Sequence, residues 1–299
     1  MTNQVVVATF YKFVKLLNLA DKKSAILQYA QAHGIQGTIL LATEGINGTI
    51  SGSREAINGM LLFLRSEPLL ADLEHKESFV EENPFYRLKV RLKKEIVTIG
   101  LSEVDPSEQV GTYVSPQEWN KLIEDPEVLV VDTRNNYEVE IGTFKQALNP
   151  HTESFREFPD YVEQNLDPHK HKKVALFCTG GIRCEKATSL MLSRGFQEVY
   201  HLKGGILKYL AETTPQESLW QGECFVFDER VSLNHGLKPG TYQLCHSCGH
   251  PLSPLDMASP QYEQMISCPH CFDTLTASKR ARQEEKRKQR ELEKKRQGS

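Results

Sequence analysis

From Val114 to Leu202 the chain alternates helical and strand patterns, and this alternation restricts its fold more than any other feature. Ser115–Glu124 reads as helical, Leu129–Asp132 as a strand, Phe155–Asn165 as helical and Val174–Cys178 as a strand. Arg183–Arg194 is helical again, and Val199–Leu202 is a last strand. Strands separated by helices imply a largely parallel sheet covered on both faces. Ligands of such sheets bind at the carboxyl ends of strands, where Asp132 and Cys178 both fall.

The run Val174-Ala-Leu-Phe-Cys178-Thr179-Gly180-Gly181-Ile182-Arg183-Cys184 carries the chemistry. An apolar strand delivers a cysteine to a glycine-containing loop, and a helix follows at once. Backbone N–H groups and the helix N-terminus then surround the sulfur and favour its anionic form. Arg183 adds a positive charge, so the Cys178 thiol is expected to be acidic and nucleophilic. Cysteine alone would equally suit a core thiol at a strand end; Gly180, Gly181 and Arg183 favour the reactive reading. Four residues separate Cys178 from Arg183. Cysteine phosphatases need five to hold a phosphate, and the tighter loop suits a cysteine carrying an extra sulfur. The run resembles the active-site loop of the rhodanese family, whose cysteine carries a persulfide.

Two further stretches resemble that family. In Val130-Val-Asp132-Thr-Arg134-Asn-Asn-Tyr-Glu138 a strand ends in Asp-x-Arg, with a glutamate four residues after the arginine and then Gly142. Asp132 can cap the following turn, and Arg134 and Glu138 stand close enough to pair. These three are read as bracing the loop that faces Cys178. Val199-Tyr-His-Leu-Lys-Gly204-Gly205-Ile resembles the last strand and turn of the domain. The rhodanese-like unit is placed at residues 114–216, after a linker at 96–113.

Residues 1–95 read as a small α+β unit. Val5–Phe10 is a strand, and Asp21 caps a helix running to about His33. Thr38–Ala42 and Gly48–Ser51 are strands around the turn Thr43-Glu-Gly-Ile-Asn-Gly48, whose glycines and asparagine suit positive φ. The same turn could instead bring backbone close to a ligand. Ser53 caps a second helix with Ile57, Met60, Leu61 and Leu64 on one face. Strands near Glu77–Val80 and Arg87–Leu92 complete a β-α-β-β-α-β order, which is ferredoxin-like.

Residues 217–278 are loop-rich and contain two CxxC pairs, Cys245/Cys248 and Cys268/Cys271, separated by 19 residues. Four thiolates in two short knuckles suit tetrahedral zinc, and a closed site of this kind is structural. Two disulfides or four free thiols are the alternatives; His246, His250 and His270 could substitute as ligands but read better as surface residues. With two more of the seven cysteines in the reactive loop and Cys224 left over, the pattern suits a reducing cytoplasm. The N-terminus reads as a first strand, not a signal peptide, and no apolar run approaches the ~18 residues of a membrane span. Residues 279–299 carry ten Lys/Arg against four Glu, or +6, while the preceding 278 residues carry 26 basic and 35 acidic groups, or −9. A basic tail on an acidic body suits a polyanionic partner. It also suits a solvated helix in which Glu284, Glu285, Glu291 and Glu293 pair locally, or a disordered tail.

Taken together, the Glu44-Gly-Ile-Asn-Gly-Thr-Ile turn, the Phe-Cys178 loop, Val226-Phe-Asp-Glu-Arg230-Val and the paired CxxC region resemble the tRNA uridine(34) hydroxylase family. The resemblance implies oxygen-dependent conversion of the wobble uridine to 5-hydroxyuridine. Dioxygen would be co-substrate, the tRNA anticodon loop the partner, an unidentified electron donor the reductant, and Cys178 the catalytic residue. The residues themselves show no dinucleotide fingerprint, flavin site or two-His-one-carboxylate iron site. Cys178 could add to C6 of the pyrimidine and activate C5. A rhodanese-type sulfurtransferase working through a Cys178 persulfide is the rival. Cys184 could resolve an oxidised Cys178 or serve only as a hydrogen-bonding residue. A basic patch at Arg183, Lys186 and Lys203 is the first expectation for the RNA surface.

Overall fold

A computed structural model describes residues 4–297. The N-terminal unit contains β1 (Val5–Phe13), α1 (Leu19–Ala32), β2 (Gln36–Ala42), β3 (Gly45–Gly52), α2 (Arg54–Arg65), β4 (His75–Val80) and β5 (Leu88–Leu92). Its sheet runs β4-β1-β3-β2-β5, the ferredoxin-like order with one strand added beside β2. Alternation in β1 sets its two faces. Val6, Ala8 and Phe10 enter the core with Ile39, Ile50, Ile57 and Met60. Tyr11 and Lys76, from β1 and β4, reach toward the second unit instead, Tyr11 bonding to Glu185 and Lys76 to Gly180.

Two local expectations are corrected. Asn18, in a left-handed conformation, precedes α1, and Asp21 lies within its first turn. The hairpin between β2 and β3 turns on Thr43 and Glu44, so the strand resumes at Gly45. Of the glycines and asparagine in the turn, only Gly45 has positive φ, where a Cβ would meet the Lys12 carbonyl. Ser53 does cap α2, accepting from the Ala56 N–H at 3.1 Å.

The central unit contains β6 (Thr112–Val114), α3 (Pro116–Ile123), β7 (Val128–Asp132), α4 (Asn136–Val139), β8 (Gly142–Phe144), α5 (Phe158–Asn165), β9 (Lys173–Phe177), α6 (Ile182–Ser193), β10 (Glu198–Leu202) and α7 (Gly205–Glu212). Strands β6-β10-β9-β7 form a wholly parallel sheet. β9 is central, and Val174, Ala175, Leu176 and Phe177 are fully buried, as a strand covered on both faces requires. Ile99 and Val104 pack into this unit's core, so the segment joining the two units is anchored.

Short strands β11 (Trp220–Gly222), β12 (Cys224–Phe225), β13 (Ser232–Leu233), β14 (Gln243–Leu244) and β15 (Pro251–Leu252) follow, with α8 (Pro254–Ala258) and a final helix α9 (Ala277–Gln297). The tail is therefore helical as far as it is described. Its arginines reach outside the helix: Arg280 and Arg287 pair with Glu263 at 2.8 and 3.0 Å, and Arg290 lies over the Tyr86 ring. Glu285 accepts from Gln289. The expected pairing of Glu291 and Glu293 lies outside the described residues. No helix among the described residues is long and apolar enough to cross a membrane.

Candidate active site at the Cys178 loop

The loop begins where β9 ends. Cys178 is fully buried and accepts a hydrogen bond from the Gly181 N–H at 3.1 Å. Gly181 precedes α6 with φ +103°, the left-handed turn that swings its N–H back toward the sulfur. The first turn of α7 grips the same loop: Ile206 N–H donates to the Cys178 carbonyl at 3.0 Å and Leu207 N–H to the Thr179 carbonyl at 3.1 Å. Gly205 permits this approach, because a Cβ there would lie 2.5 Å from the Cys178 carbonyl oxygen.

Burial raises the pKa of the Cys178 thiol. A hydrogen bond from the Cys184 thiol, the Arg183 charge and the N–H groups of Cys184 and Gly181 outweigh burial and hold the thiol well below its usual range. Cys184 moves the opposite way, pushed up by burial and by the adjacent Cys178 sulfur. Cys178 is thus the thiolate of the pair and Cys184 its proton-bearing neighbour, which also lies 3.6 Å from the Thr133 hydroxyl.

Arg183 does not reach out to solvent. Its guanidinium donates to both Glu138 oxygens at 2.6 and 2.8 Å and to Thr179 Oγ1 at 3.2 Å. The expected side-chain pairing of Arg134 with Glu138 is corrected accordingly. Arg134 pairs with Asp132 through Nε and Nη2 at 2.9 and 2.6 Å and reaches only the backbone carbonyl of Glu138. Asp132 also accepts from the Arg134 N–H, the turn-capping role expected of it. Glu138 therefore braces the reactive loop directly, while Asp132 and Arg134 lock β7 to Gly142 and Thr143 on β8. Asp228 and Arg230 repeat the same Asp-x-Arg clasp, and Arg230 extends it to Ser78 of β4.

The proposed basic patch is also corrected. Arg183 is buried, and Lys186 is 1% exposed, pairing with Glu44 at 2.8 Å and Glu95 at 2.6 Å. These bonds join α6 to the N-terminal unit, and the Glu44 turn therefore serves as an interdomain contact. Lys203 alone of the three is exposed.

Four residues that the sequence did not single out complete the site. Tyr11 donates to Glu185 Oε1 at 2.8 Å, Lys76 donates to the Gly180 carbonyl at 2.9 Å, and Tyr113 shares the cavity wall with Glu185. A cavity of about 690 Å³ between the two units is lined by Tyr11, Lys76, Tyr113, Glu185 and Lys203 among others. The only sequence signal was that β1 is aromatic on both faces.

Family profiles resolve the two units. The N-terminal one matches the UPF0176 acylphosphatase-like domain over residues 5–96. The profile matching residues 115–212 is the rhodanese-like domain. The central unit is a rhodanese-like domain. Among solved structures, the chain is similar to the rhodanese-like domain of an Anabaena protein, at 20% identity over 37% of this chain and 78% of that one, TM-score 0.31. It is also similar to a rhodanese-related protein of Thermoplasma volcanium, at 20% identity over 35% of this chain and 95% of that one, TM-score 0.27. A third is a Rhodopseudomonas palustris protein of unknown function described as a possible tyrosine phosphatase, at 21% identity over 35% and 82%, TM-score 0.30.

The second candidate centre is the cysteine cluster. The sulfurs of Cys245, Cys248, Cys268 and Cys271 all lie within 4.8 Å of one another. Separations of 4.0 Å for Cys245–Cys271 and 3.7 Å for both Cys248–Cys268 and Cys268–Cys271 match a tetrahedron with Zn–S bonds of about 2.3 Å. They are too long for disulfides, and all four thiols are free. Gly249, at φ +85°, turns the first knuckle so that its N–H bonds to the Cys245 carbonyl. The four residues can hold a metal such as zinc, with no open position for catalysis.

Proposed function

We propose that the protein hydroxylates the wobble uridine 34 of tRNA at C5, with dioxygen as co-substrate and the Cys178 thiolate as nucleophile. A UPF0176 acylphosphatase-like domain joined to a rhodanese-like domain is the architecture of the tRNA hydroxylase family. The observation that carries the reading is an acidic thiol, fully buried in a loop whose Gly180 carbonyl is bonded by Lys76, a residue on the wall of an interdomain cavity of about 690 Å³, within the range of small-ligand sites and large enough for one extruded nucleotide. Addition of the thiolate to C6 makes C5 electron-rich and open to oxygen. Overall, uridine, dioxygen, two electrons and two protons give 5-hydroxyuridine and water, so an external two-electron donor is required. Helix α9, with its excess of Lys and Arg, and exposed Lys203 supply charge for the RNA backbone in a cytoplasmic setting.

The sulfurtransferase reading rests on the rhodanese-like loop, which favours a bound sulfur at Cys178. Against thiosulfate as donor, Arg183 is already committed to Glu138 and Thr179. Nucleoside mass spectrometry of tRNA from cells with and without the gene separates the readings. Loss of 5-hydroxyuridine-derived nucleosides, restored by the wild-type gene and not by Cys178→Ser, is expected. An unchanged nucleoside profile, with thiosulfate:cyanide transfer detectable in the pure protein, would establish the rival.

A further inference from the structure

The Glu185 side chain has no part in holding the loop, yet it faces the interdomain cavity next to it. It lies in the first turn of α6, directly after Cys184, and it lines the interdomain cavity. The other acids on that wall have different surroundings. Asp72 pairs with Lys12, Glu77 with Arg54, and Glu212 with Lys208, while Glu74 is exposed. Glu185 has no ion-pair partner among the described residues. Its carboxyl is held by the Tyr11 phenol from β1 at 2.8 Å, with the Tyr113 phenol of β6 on the same cavity wall. The Tyr11 hydroxyl in turn rests against Gly181, where a Cβ would lie 2.8 Å from it, and Gly181 is the residue that binds the Cys178 sulfur. The carboxyl and the phenol thus share one wall of the cavity, with the buried Cys178 sulfur behind Gly181.

We propose that Glu185 is the catalytic proton carrier at C5 of the uracil ring, with Tyr11 as its positioning residue. The inference rests on the reading of Cys178 as the nucleophile toward uridine. In the forward step a Cys178 electron pair forms the S–C6 bond and the C5=C6 π pair moves to C5. The Glu185 O–H bond breaks, and its proton joins C5, leaving a carboxylate. C5 then carries two hydrogens on opposite faces; when water takes the original one, the double bond re-forms, the S–C6 bond breaks, and the Glu185 carboxylate is reprotonated from solvent. No oxidant enters this exchange; in hydroxylation oxygen takes the C5 electron pair in place of the Glu185 proton.

A protonated carboxyl suits these surroundings. Burial pushes Glu185 up and the Cys178 charge adds to this, while the Tyr11 and Tyr113 hydrogen bonds and Lys76 draw it only part of the way back. A carboxyl held above its usual range keeps its proton to higher pH than an exposed one does.

The experiment is anaerobic incubation of the full-length protein with an unmodified tRNA transcript in D2O, reading deuterium at C5 of U34 by mass spectrometry. Wild type is expected to exchange U34, and Cys178→Ser to show none. Glu185→Gln should slow exchange by ~100-fold or more, the low end of what a positioned acid–base group contributes, with its Cys178 alkylation rate within about threefold of wild type. Glu185→Asp should recover part of the rate. Tyr11→Phe, which alters only the N-terminal unit, should cost ~10-fold, the equivalent of one hydrogen bond. Exchange by Glu185→Gln within about threefold of wild type would overturn this inference alone. A wild-type protein that neither exchanges nor hydroxylates U34 would overturn both it and the hydroxylase reading.

Discussion

Replacing Glu138 by Gln should destabilise the rhodanese-like domain and leave its reactive loop unbraced. Arg183 keeps its charge at any accessible pH, and in this fold it is 7% exposed. Its two short bonds to Glu138 are its one ion pair with a carboxylate among the described residues. Removing one member of a buried pair costs about 3–5 kcal/mol, because the remaining charge stays out of water without a partner. Gln keeps one acceptor oxygen, so about 3 kcal/mol is expected, the low end of that range. The chain's two tryptophans, Trp119 and Trp220, are both buried in this domain's core, so their fluorescence reports its unfolding selectively. At a urea slope of ~2 kcal/mol per molar the midpoint should fall by ~1.5 M. The double variant Glu138→Leu/Arg183→Met removes both charges and should regain most of the loss. The pair also predicts the acid limb. Burial pushes the Glu138 carboxyl up, yet Arg183 and Arg134 hold it below its usual range. Its contribution is therefore present above the usual carboxylate pKa and is lost as pH falls through the depressed value. Glu138→Gln should flatten that loss. A midpoint shift worth under ~1 kcal/mol, the level of an exposed pair, would refute the reasoning.

Cys184→Ala removes a hydrogen bond to the Cys178 sulfur and should move the pH midpoint of Cys178 alkylation upward, with Cys184→Ser moving it less; an unchanged midpoint would remove Cys184 from the activation of the thiol. Gly205→Ala places a Cβ 2.5 Å from the Cys178 carbonyl and should cost about 2–3 kcal/mol, whereas Gly195→Ala, at φ +90° with open space, should cost only ~1–2 kcal/mol for its left-handed backbone. Equal losses in thermal unfolding would show that contact with the loop contributes nothing. Purified protein should contain zinc, and chelation should raise hydrogen exchange across residues 245–271 without changing Cys178 alkylation; metal-free protein with the same exchange would contradict the structural role.

The parallel sheet was readable in the sequence because its strands are short, apolar and separated by amphipathic helices. The Cys178 loop was readable because its residues are contiguous. Contiguity also misled: Arg134 and Glu138 lie four apart, but the helix joining them spans only Asn136–Val139. Asp132 is closer to Arg134, and Glu138 is left free to meet Arg183 from another strand end. Lys186 looked like a surface charge because its partners, Glu44 and Glu95, lie in or beside the other unit. Periodicity reports which face of an element is buried, not which domain buries it.

That limit bears most on Glu185. As part of α6 alone it would be an acidic residue in a helix's first turn, placed to favour the macrodipole and to ionise near the ordinary ~4.3. Burial is the main cause of its raised pKa, and the burial comes from β1 and β4 of the N-terminal unit together with Tyr113 of β6. The rhodanese-like domain supplies the thiolate from its own backbone geometry. The raised pKa of the acid depends on the N-terminal sheet that covers it. Lys186 stands one residue beyond that acid and bonds to Glu44 and Glu95, so the same helix that carries the acid is fastened to the covering domain. Weakening that fastening should lower the Glu185 pKa toward its ordinary value while leaving the Cys178 loop intact, which separates thiolate chemistry from proton transfer at C5.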